Sequence, residues 1–425
     1  MRQHPDRVEI EPRGPIHATV RPPGSKSLTN RALVCAALAD GQSQLVAALD
    51  SEDTRVMVDA LRQLGVQVEP RFAEAAIAVV GCGGKLPATR GELYVANSGT
   101  TVRFLAPLVS LANGAFRLDG TPRMRERPIG DLIDSLRQLG VDARAESTGA
   151  CPPVVIHATG LSGGQATVRG DVSSQFLSGL LMAAPYAHEP VRLAVEGELV
   201  SKPYVTMTLA VMDAFGVPVE QLAMREFRVP RQRYGGRVYA IEPDASAASY
   251  FFAAAAISGG EVAVEGLSRA SLQGDVAFVD VLAQMGCRVT HGPDRITVAG
   301  KKLSGVTVDM NAISDTVQTL AAVALFAEGP TTITGVGHIR HKETDRIGAL
   351  ATELRKLGAI VEELPDGLRI TPAPLRPAVI DTYQDHRMAM SLSLVGLRQP
   401  GIFINDPGCT AKTYPGFWND LRSLT

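Results

Sequence analysis

Apolar positions along this chain fall into two helical patterns that take turns. In the first, apolar residues recur every three or four positions and stop at a glycine, after which a short run alternates apolar and polar: MVDALRQLGVQVE, LIDSLRQLGVDAR, LAVMDAFGVPVE, FVDVLAQMGCRVT and ELRKLGAIVEE. Each predicts an amphipathic helix, a turn and a strand. Their glycines, Gly65, Gly140, Gly216, Gly286 and Gly358, recur about every seventy residues, and FWNDLRSL near the end opens a sixth copy. In the second pattern the helices are rich in Ala, Gly and Ser on all sides: TNRALVCAALADG, SGTTVRFLAPLVSLANG, SSQFLSGLLMAAPYAHEP, SAASYFFAAAAISGG, SDTVQTLAAVALFAEG and DHRMAMSLSLVGLRQPG. Such segments predict helices packed closely inside a core. Runs such as VRLAVEG, EVAVEG and TTITGVG read as strands closed by glycine turns. Each repeat therefore reads strand, helix, strand, helix and further strand, an α/β arrangement. At about seventy residues it is too long for a helical or leucine-rich solenoid, so a few repeats bundled into each of two globular domains is the expected organisation.

Composition agrees with two cores. The chain has 425 residues, 45% of them hydrophobic, and single cores stop growing near 250 to 300 residues. A net charge of -2 with 5% aromatic residues leaves no basic, aromatic-studded field for nucleic acid or an anionic membrane. Cys35, Cys82, Cys151, Cys287 and Cys409 are far apart and form no CxxC pair, which indicates neither a disulfide framework nor a zinc knot. The opening MRQHPDRVEI lacks the apolar stretch of a signal peptide, and the apolar run around Tyr250 to Ile257 is too short to span a bilayer. A soluble, cytoplasmic protein is expected.

The chemistry gathers where helices start. In PPGSKSLTNRAL, Lys26 stands at a predicted helix start, the end where the macrodipole disfavours a cation. A nucleotide P-loop does not explain it, because Ser25 precedes Lys26 and Thr19 stands where that motif needs glycine. Further starts carry Asn97 to Gly99, Ser173 to Gln175, Asp244, Asp315 and Asp385 to Arg387; the other helix series opens with Arg127, Ser201 to Tyr204, Lys342 to Arg346, and Lys412. Serines there are ordinary caps. Eight cations, Lys26, Arg31, Arg127, Lys202, Lys342, Arg346, Arg387 and Lys412, are not ordinary at such ends, and together they point to small ligands bearing phosphate and carboxylate. Local pairing with Glu126 or Glu343 is the bland alternative. Asp315, Glu343 and Asp385 sit among the cations beside His386, which supplies groups suited to proton transfer; Asp315 and Asp345 could equally cap helices. No HExxH or Cys/His cluster occurs, so no metal is expected.

Taken in order over nearly the whole chain, PGSKSLTNRAL, NSGTTVR, RMRERPIGDL, DVSSQFLSGLLMAAP, LVSKPY, KETDR, DHRMAM and DPGCTAKTYP resemble the motifs of the 5-enolpyruvylshikimate 3-phosphate (EPSP) synthases. The resemblance implies the two-domain enolpyruvyl transferase fold, an inside-out α/β barrel (α+β in its mixed sheets) with three βαβαββ repeats per domain. One domain would span 24–242, the other 1–23 with 243–425, and the active site would lie in the cleft between them. It implies transfer of the enolpyruvyl group of phosphoenolpyruvate to the 5-hydroxyl of shikimate 3-phosphate, with no cofactor, by a monomer for which glyphosate is a possible inhibitor. Shikimate 3-phosphate would be held by Lys26, Ser27, Arg31, Ser173, Ser174, Gln175, Ser201, Tyr204, Asp315, His338 and Lys342, where His338 stands in place of an asparagine of some relatives. Phosphoenolpyruvate would be held by Lys26, Asn97, Gly99, Arg127, Gln175, Arg346, Arg387 and Lys412. Asp315 suits the base and Glu343 the acid, with Lys26, His386 and Lys412 as helpers. The sister enzymes acting on UDP-N-acetylglucosamine usually use a Cys near the arginine-rich TPRMRERP segment, and no Cys lies between Cys82 and Cys151. A phosphate-ligand or RNA-binding module built from similar repeats is the non-enzymatic alternative. Glyphosate-sensitive members typically read NAGTAMRPL where this chain has NSGTTVRFL, so Ser98, Thr101, Val102 and Phe104 depart from that pattern.

Overall fold

The computed structural model describes residues 1–4 and 6–424. The chain divides into two compact units, Gly24–Ile241, and Met1–Pro23 with Glu242–Thr425. The first unit holds α1 (Lys26–Leu38), α2 (Glu52–Gln63), α3 (Gly99–Val109), α4 (Gly130–Gln138), α5 (Ser174–Ala183) and α6 (Lys202–Ala214). The second holds α7 (Ala245–Ser258), α8 (Phe278–Gln284), α9 (Val317–Ala324), α10 (Arg346–Lys356), α11 (His386–Ser393) and α12 (Phe417–Ser423). Odd-numbered helices are the small-residue series and even-numbered ones the amphipathic series. Every residue of α7 is buried, as its alanines and serines require, whereas α2 buries Met57, Val58 and Leu61 on one face and exposes the other. The five repeat glycines all adopt positive φ, between 85° and 111°. A residue with a Cβ would be strained there, which is why the same letter ends each helix.

Each unit has its own apolar core. Among the described residues there are six four-stranded sheets, and all share one topology: a parallel pair extended by two antiparallel strands. In one, Arg90–Tyr94 runs parallel to Asn113–Asp119, which pairs antiparallel with Val154–Thr159, followed by Asp142–Ala145. The helices connect these strands, giving strand, helix, strand, helix and two strands in each repeat. Long-range exchanges complete three of the sheets. Val238–Ala240 precedes α7 in sequence yet lies parallel to Gln42–Val46 in the sheet connected by α1 and α2. His17–Val20 precedes α1 yet lies parallel to Glu261–Glu265 beside α7. The two crossing segments touch, with the Asp244 amide donating to Pro23 O at 2.8 Å. The sixth repeat, whose α12 runs out at the chain end, takes its last two strands from the chain start: Arg7–Ile10 pairs with Ile402–Asn405, and Arg2–His4 lies outside it. Among the described residues no helix is long and apolar enough to cross a membrane.

Candidate active site

In the unit Gly24–Ile241, three small-residue helices begin in the same way. Ser25 accepts the Leu28 amide, Ser98 the Thr101 amide and Ser173 the Gln175 amide, capping α1, α3 and α5. A serine cap satisfies an amide without adding charge, so these helix ends keep their positive potential. Lys26 follows at the first position of α1, buried, with Nζ 3.6 Å from the buried Asp53 at the start of α2. Arg31, one turn further, is fully buried: its Nε donates to Thr208 Oγ1 at 2.7 Å, and its other nitrogens donate to the carbonyls of Ser27 and Tyr204. Its guanidinium carbon lies 5.2 Å from the centre of the Phe104 ring, and burial lowers its pKa to about 10. Arg127 precedes α4 and donates to Asn97 O at 2.9 Å and Asn97 Oδ1 at 3.2 Å. It passes directly over Gly99, where an added Cβ would sit 2.4 Å from Arg127 Nη2. Gln175 accepts from Arg103 Nη1 at 2.8 Å and donates to Thr100 Oγ1 at 3.1 Å, so its amide is fixed between α3 and α5.

In the other unit, charge is gathered around aspartates. Asp244 caps α7 and Asp385 caps α11, but Asp315, one repeat from each, caps nothing: α9 is preceded by a 3₁₀ turn, Asn311–Thr316, with Ile313 off the helical conformation. The predicted continuous helix over SDTVQTLAAVALFAEG is therefore split. Cations replace the cap. Lys342 Nζ lies 2.6 Å from Asp315, Arg346 Nη1 3.2 Å and Arg387 Nη2 2.8 Å. Arg346 also donates to Asp385 at 2.7 Å and to Glu343 at 2.9 Å. Burial opposes its charge, but Asp385, Glu343 and Asp315 outweigh that and raise its pKa. Burial lowers the pKa of Lys342 against the pull of Asp315. His338 is pushed down to about 3 by burial and then by Lys342. His386 is held well below its ordinary value by burial and by Arg387, with Arg346 and Lys412 adding to the effect; it is a neutral imidazole at pH 7.

Several sequence expectations need correction. Lys202 is no part of a charged cluster; its side chain is half exposed beside Glu198, an ordinary surface pair for a long solvated side chain. Arg127, Lys342 and Lys412 lie at the ends of short 3₁₀ turns rather than on the following long helices. Local pairing also accounts for part of the pattern, since Glu343 does bind Arg346 three residues on, while Glu126 takes Arg123. Asp345 caps α10, accepting the Ile347 and Gly348 amides with one oxygen while the other pairs with Arg340 Nη1 at 2.8 Å. Asp53 and Arg103 are not among the residues singled out from the sequence: Asp53 stands in a first helical turn, where an acid is commonplace, and Arg103 lies within NSGTTVR. Backbone strain accompanies the segments bearing the predicted site residues without being confined to them: Ala96, Ser201, Tyr383, Gln384 and Asp406 have positive φ just before them, and so do Ala47, Ala75, Ala150, Ala223 and Met224 elsewhere. Such conformations cost about 1–3 kcal/mol apiece and collect at functional sites.

Each unit thus places buried cations at or near helix starts beside buried carboxylates. The description EPSP synthase (3-phosphoshikimate 1-carboxyvinyltransferase) belongs to the family model that matches residues 10–421. The chain belongs to the EPSP synthase family. A 3-phosphoshikimate 1-carboxyvinyltransferase of Nostoc punctiforme is 50% identical over 416 residues, covering 97% of this chain and 98% of that protein. One of Shewanella amazonensis is 49% identical over 425 residues and 99% of both. An EPSP synthase structure from Acinetobacter baumannii superimposes with a TM-score of 0.82 at 26% identity, covering 99% and 98% of the two chains. The enolpyruvyl transferase NikO from Streptomyces tendae, at 23% identity and a TM-score of 0.76 over 99% and 98%, shares the fold. The EPSP synthase two-domain fold is thus the fold of this chain.

Proposed function

We infer that the chain transfers the enolpyruvyl group of phosphoenolpyruvate to the 5-hydroxyl of shikimate 3-phosphate, giving 5-enolpyruvylshikimate 3-phosphate and phosphate through a tetrahedral intermediate. This is the step of aromatic amino acid biosynthesis that the family's name describes, and family membership over residues 10–421 supports it. For the site residues, the observation that carries the reading is the convergence of Lys342, Arg346 and Arg387 on one carboxylate, Asp315. Asp385 and Glu343 balance part of that charge through Arg346, and the guanidinium and ammonium groups gathered there are of the kind that grip phosphate and carboxylate oxygens.

In this reading Arg127, Arg346, Arg387 and Lys412, with Asn97 and Gly99, hold phosphoenolpyruvate. Ser27, Arg31, Ser173, Ser174, Ser201, Tyr204, His338 and Lys342 hold shikimate 3-phosphate, and Lys26 and Gln175 serve both. Asp315 takes the proton of the attacking hydroxyl as its oxygen bonds to C2 of phosphoenolpyruvate, and Glu343 delivers a proton to C3, giving a ketal phosphate. Loss of a C3 proton and of phosphate completes the transfer. His386, neutral through burial, contributes hydrogen bonding rather than charge, while Lys26 and Lys412 stabilise phosphate oxygens. Phosphate release that requires both substrates tests the reaction; tight binding of both with no turnover would refute it.

The enzyme is proposed to act as a cytoplasmic monomer. Glyphosate is proposed to compete with phosphoenolpyruvate, less strongly than in members reading NAGTAMRPL, because Phe104 is buried against Arg31 and ties α3 to α1. Equal inhibition constants in a side-by-side assay would contradict this.

A further inference from the structure

Glu353 lies on α10 two turns beyond Arg346, and its side chain is fully buried. The reaction asks for no carboxylate there. Burial of an ion is costly without partners, so the partners reveal its task. Its Oε2 accepts the Asp381 amide at 3.1 Å and its Oε1 accepts the Tyr383 hydroxyl at 2.7 Å. Lys356 Nζ bridges it to Asp381, at 2.9 and 2.7 Å. The segment held in this way is strained: Tyr383 and Gln384 are consecutive non-glycine residues with φ of 55° each. That conformation persists only where its surroundings over-determine it. Next comes Asp385, whose amide donates to Thr382 O at 2.8 Å and whose carboxylate both caps α11 and binds Arg346. One face of α10 therefore grips the turn twice, Arg346 at Asp385 and Glu353 at Asp381 and Tyr383.

We propose that Glu353 is a positioning residue: it clamps the 381–384 turn so that Asp385 and Arg387 meet Arg346 and Asp315 in the geometry that holds phosphoenolpyruvate. The clamp rests on the assignment of Arg346 and Arg387 to that substrate. Two variants probe it. Glu353→Gln keeps the size but turns an NH₂ or a weaker acceptor toward Lys356, and Tyr383→Phe removes a single hydrogen bond at an otherwise unchanged ring. Steady-state kinetics give KM and kcat, and calorimetry gives the Kd for shikimate 3-phosphate alone, with the wild type measured alongside. The KM for phosphoenolpyruvate should rise about tenfold in Glu353→Gln and about threefold in Tyr383→Phe, with kcat and the shikimate 3-phosphate Kd changed by no more than about twofold. Adding Gln384→Gly to Glu353→Gln, which supplies a residue at ease with positive φ, should recover part of the KM. If Glu353→Gln does not fold, Tyr383→Phe decides alone. An unchanged KM for phosphoenolpyruvate, or an equal weakening of both substrates, overturns the clamp; a wild type without turnover overturns the reaction assignment instead.

Discussion

Asp315 receives three cations within 3.2 Å, so removing its charge alters its neighbours as well as the reaction. Asp315→Ala would leave three buried or half-buried cations facing one another. Asp315→Asn keeps the shape, and it should lower kcat about 10²-fold or more, the scale of general-base loss, while shifting each KM much less. Near-normal turnover would remove Asp315 from the base role. The buried histidines make a second, independent statement. His338 is pushed down to about 3, whereas an unfolded histidine titrates near about 6.5. The unfolded chain therefore binds a proton that the folded one refuses: the stabilisation is complete above pH of about 6.5 and is lost as pH falls toward the folded value. His386 has the same sign. The His338 contribution should fall by about 2 kcal/mol between pH 7 and pH 5. The fall in Tm over that interval should be smaller in His338→Asn than in the wild type, and an identical fall would show that this imidazole does not drive it.

At the scale of elements, the two units solve the same structural problem with opposite chemistry. Serines cap α1, α3 and α5, while aspartates cap α7 and α11 and a third, Asp315, pairs with three cations before an uncapped α9. Neutral caps leave a helix end positive; charged caps recruit arginines, as Asp385 recruits Arg346. The turn into α3 gives a direct test. An alanine at Gly99 would place its Cβ 2.4 Å from Arg127 Nη2, so the guanidinium must move. Gly99→Ala should raise the KM for phosphoenolpyruvate by about tenfold or more with a smaller effect on shikimate 3-phosphate. Kinetics with each substrate varied in turn check this. As a control, Asp345→Ala removes a cap and the ion pair with Arg340, both outside the proposed contacts. It should cost about 1 kcal/mol, seen as a lower Tm, with kinetic constants near those of the wild type.

For the whole molecule, the exchanged strands set which pieces can fold. Gly24–Ile241 contains all strands of its three sheets, including Val238–Ala240, which closes the sheet of Gln42–Val46. Expressed by itself it should unfold cooperatively. Deleting residues 1–20 instead removes strands from two sheets of the other unit, those of Glu261–Glu265 and Ile402–Asn405. Limited proteolysis of that truncated chain should cut within 242–424 while sparing 24–241, and uniform resistance would contradict the topology.

The amino-acid sequence determined the elements. The five repeat glycines, the Ala-rich helices and the serines at helix starts are local: each answers to a φ value, a close packing distance or an unpaired amide within a few residues, and such demands leave their mark on adjacent letters. The helix-start residues could be found for the same reason, and the motif resemblance supplied the chemistry of their ligands. What local pattern does not carry is pairing across hundreds of residues. Only the tertiary structure decided that His17–Val20 joins the sheet beside α7, that the chain's first strands complete its last repeat, and that Asp53, Arg103 and Glu353 sit against Lys26, Gln175 and the Tyr383 turn. A single acid or arginine reads as solvated surface until a distant segment buries it, because the energy that fixes its role comes from the partner and not from the residue.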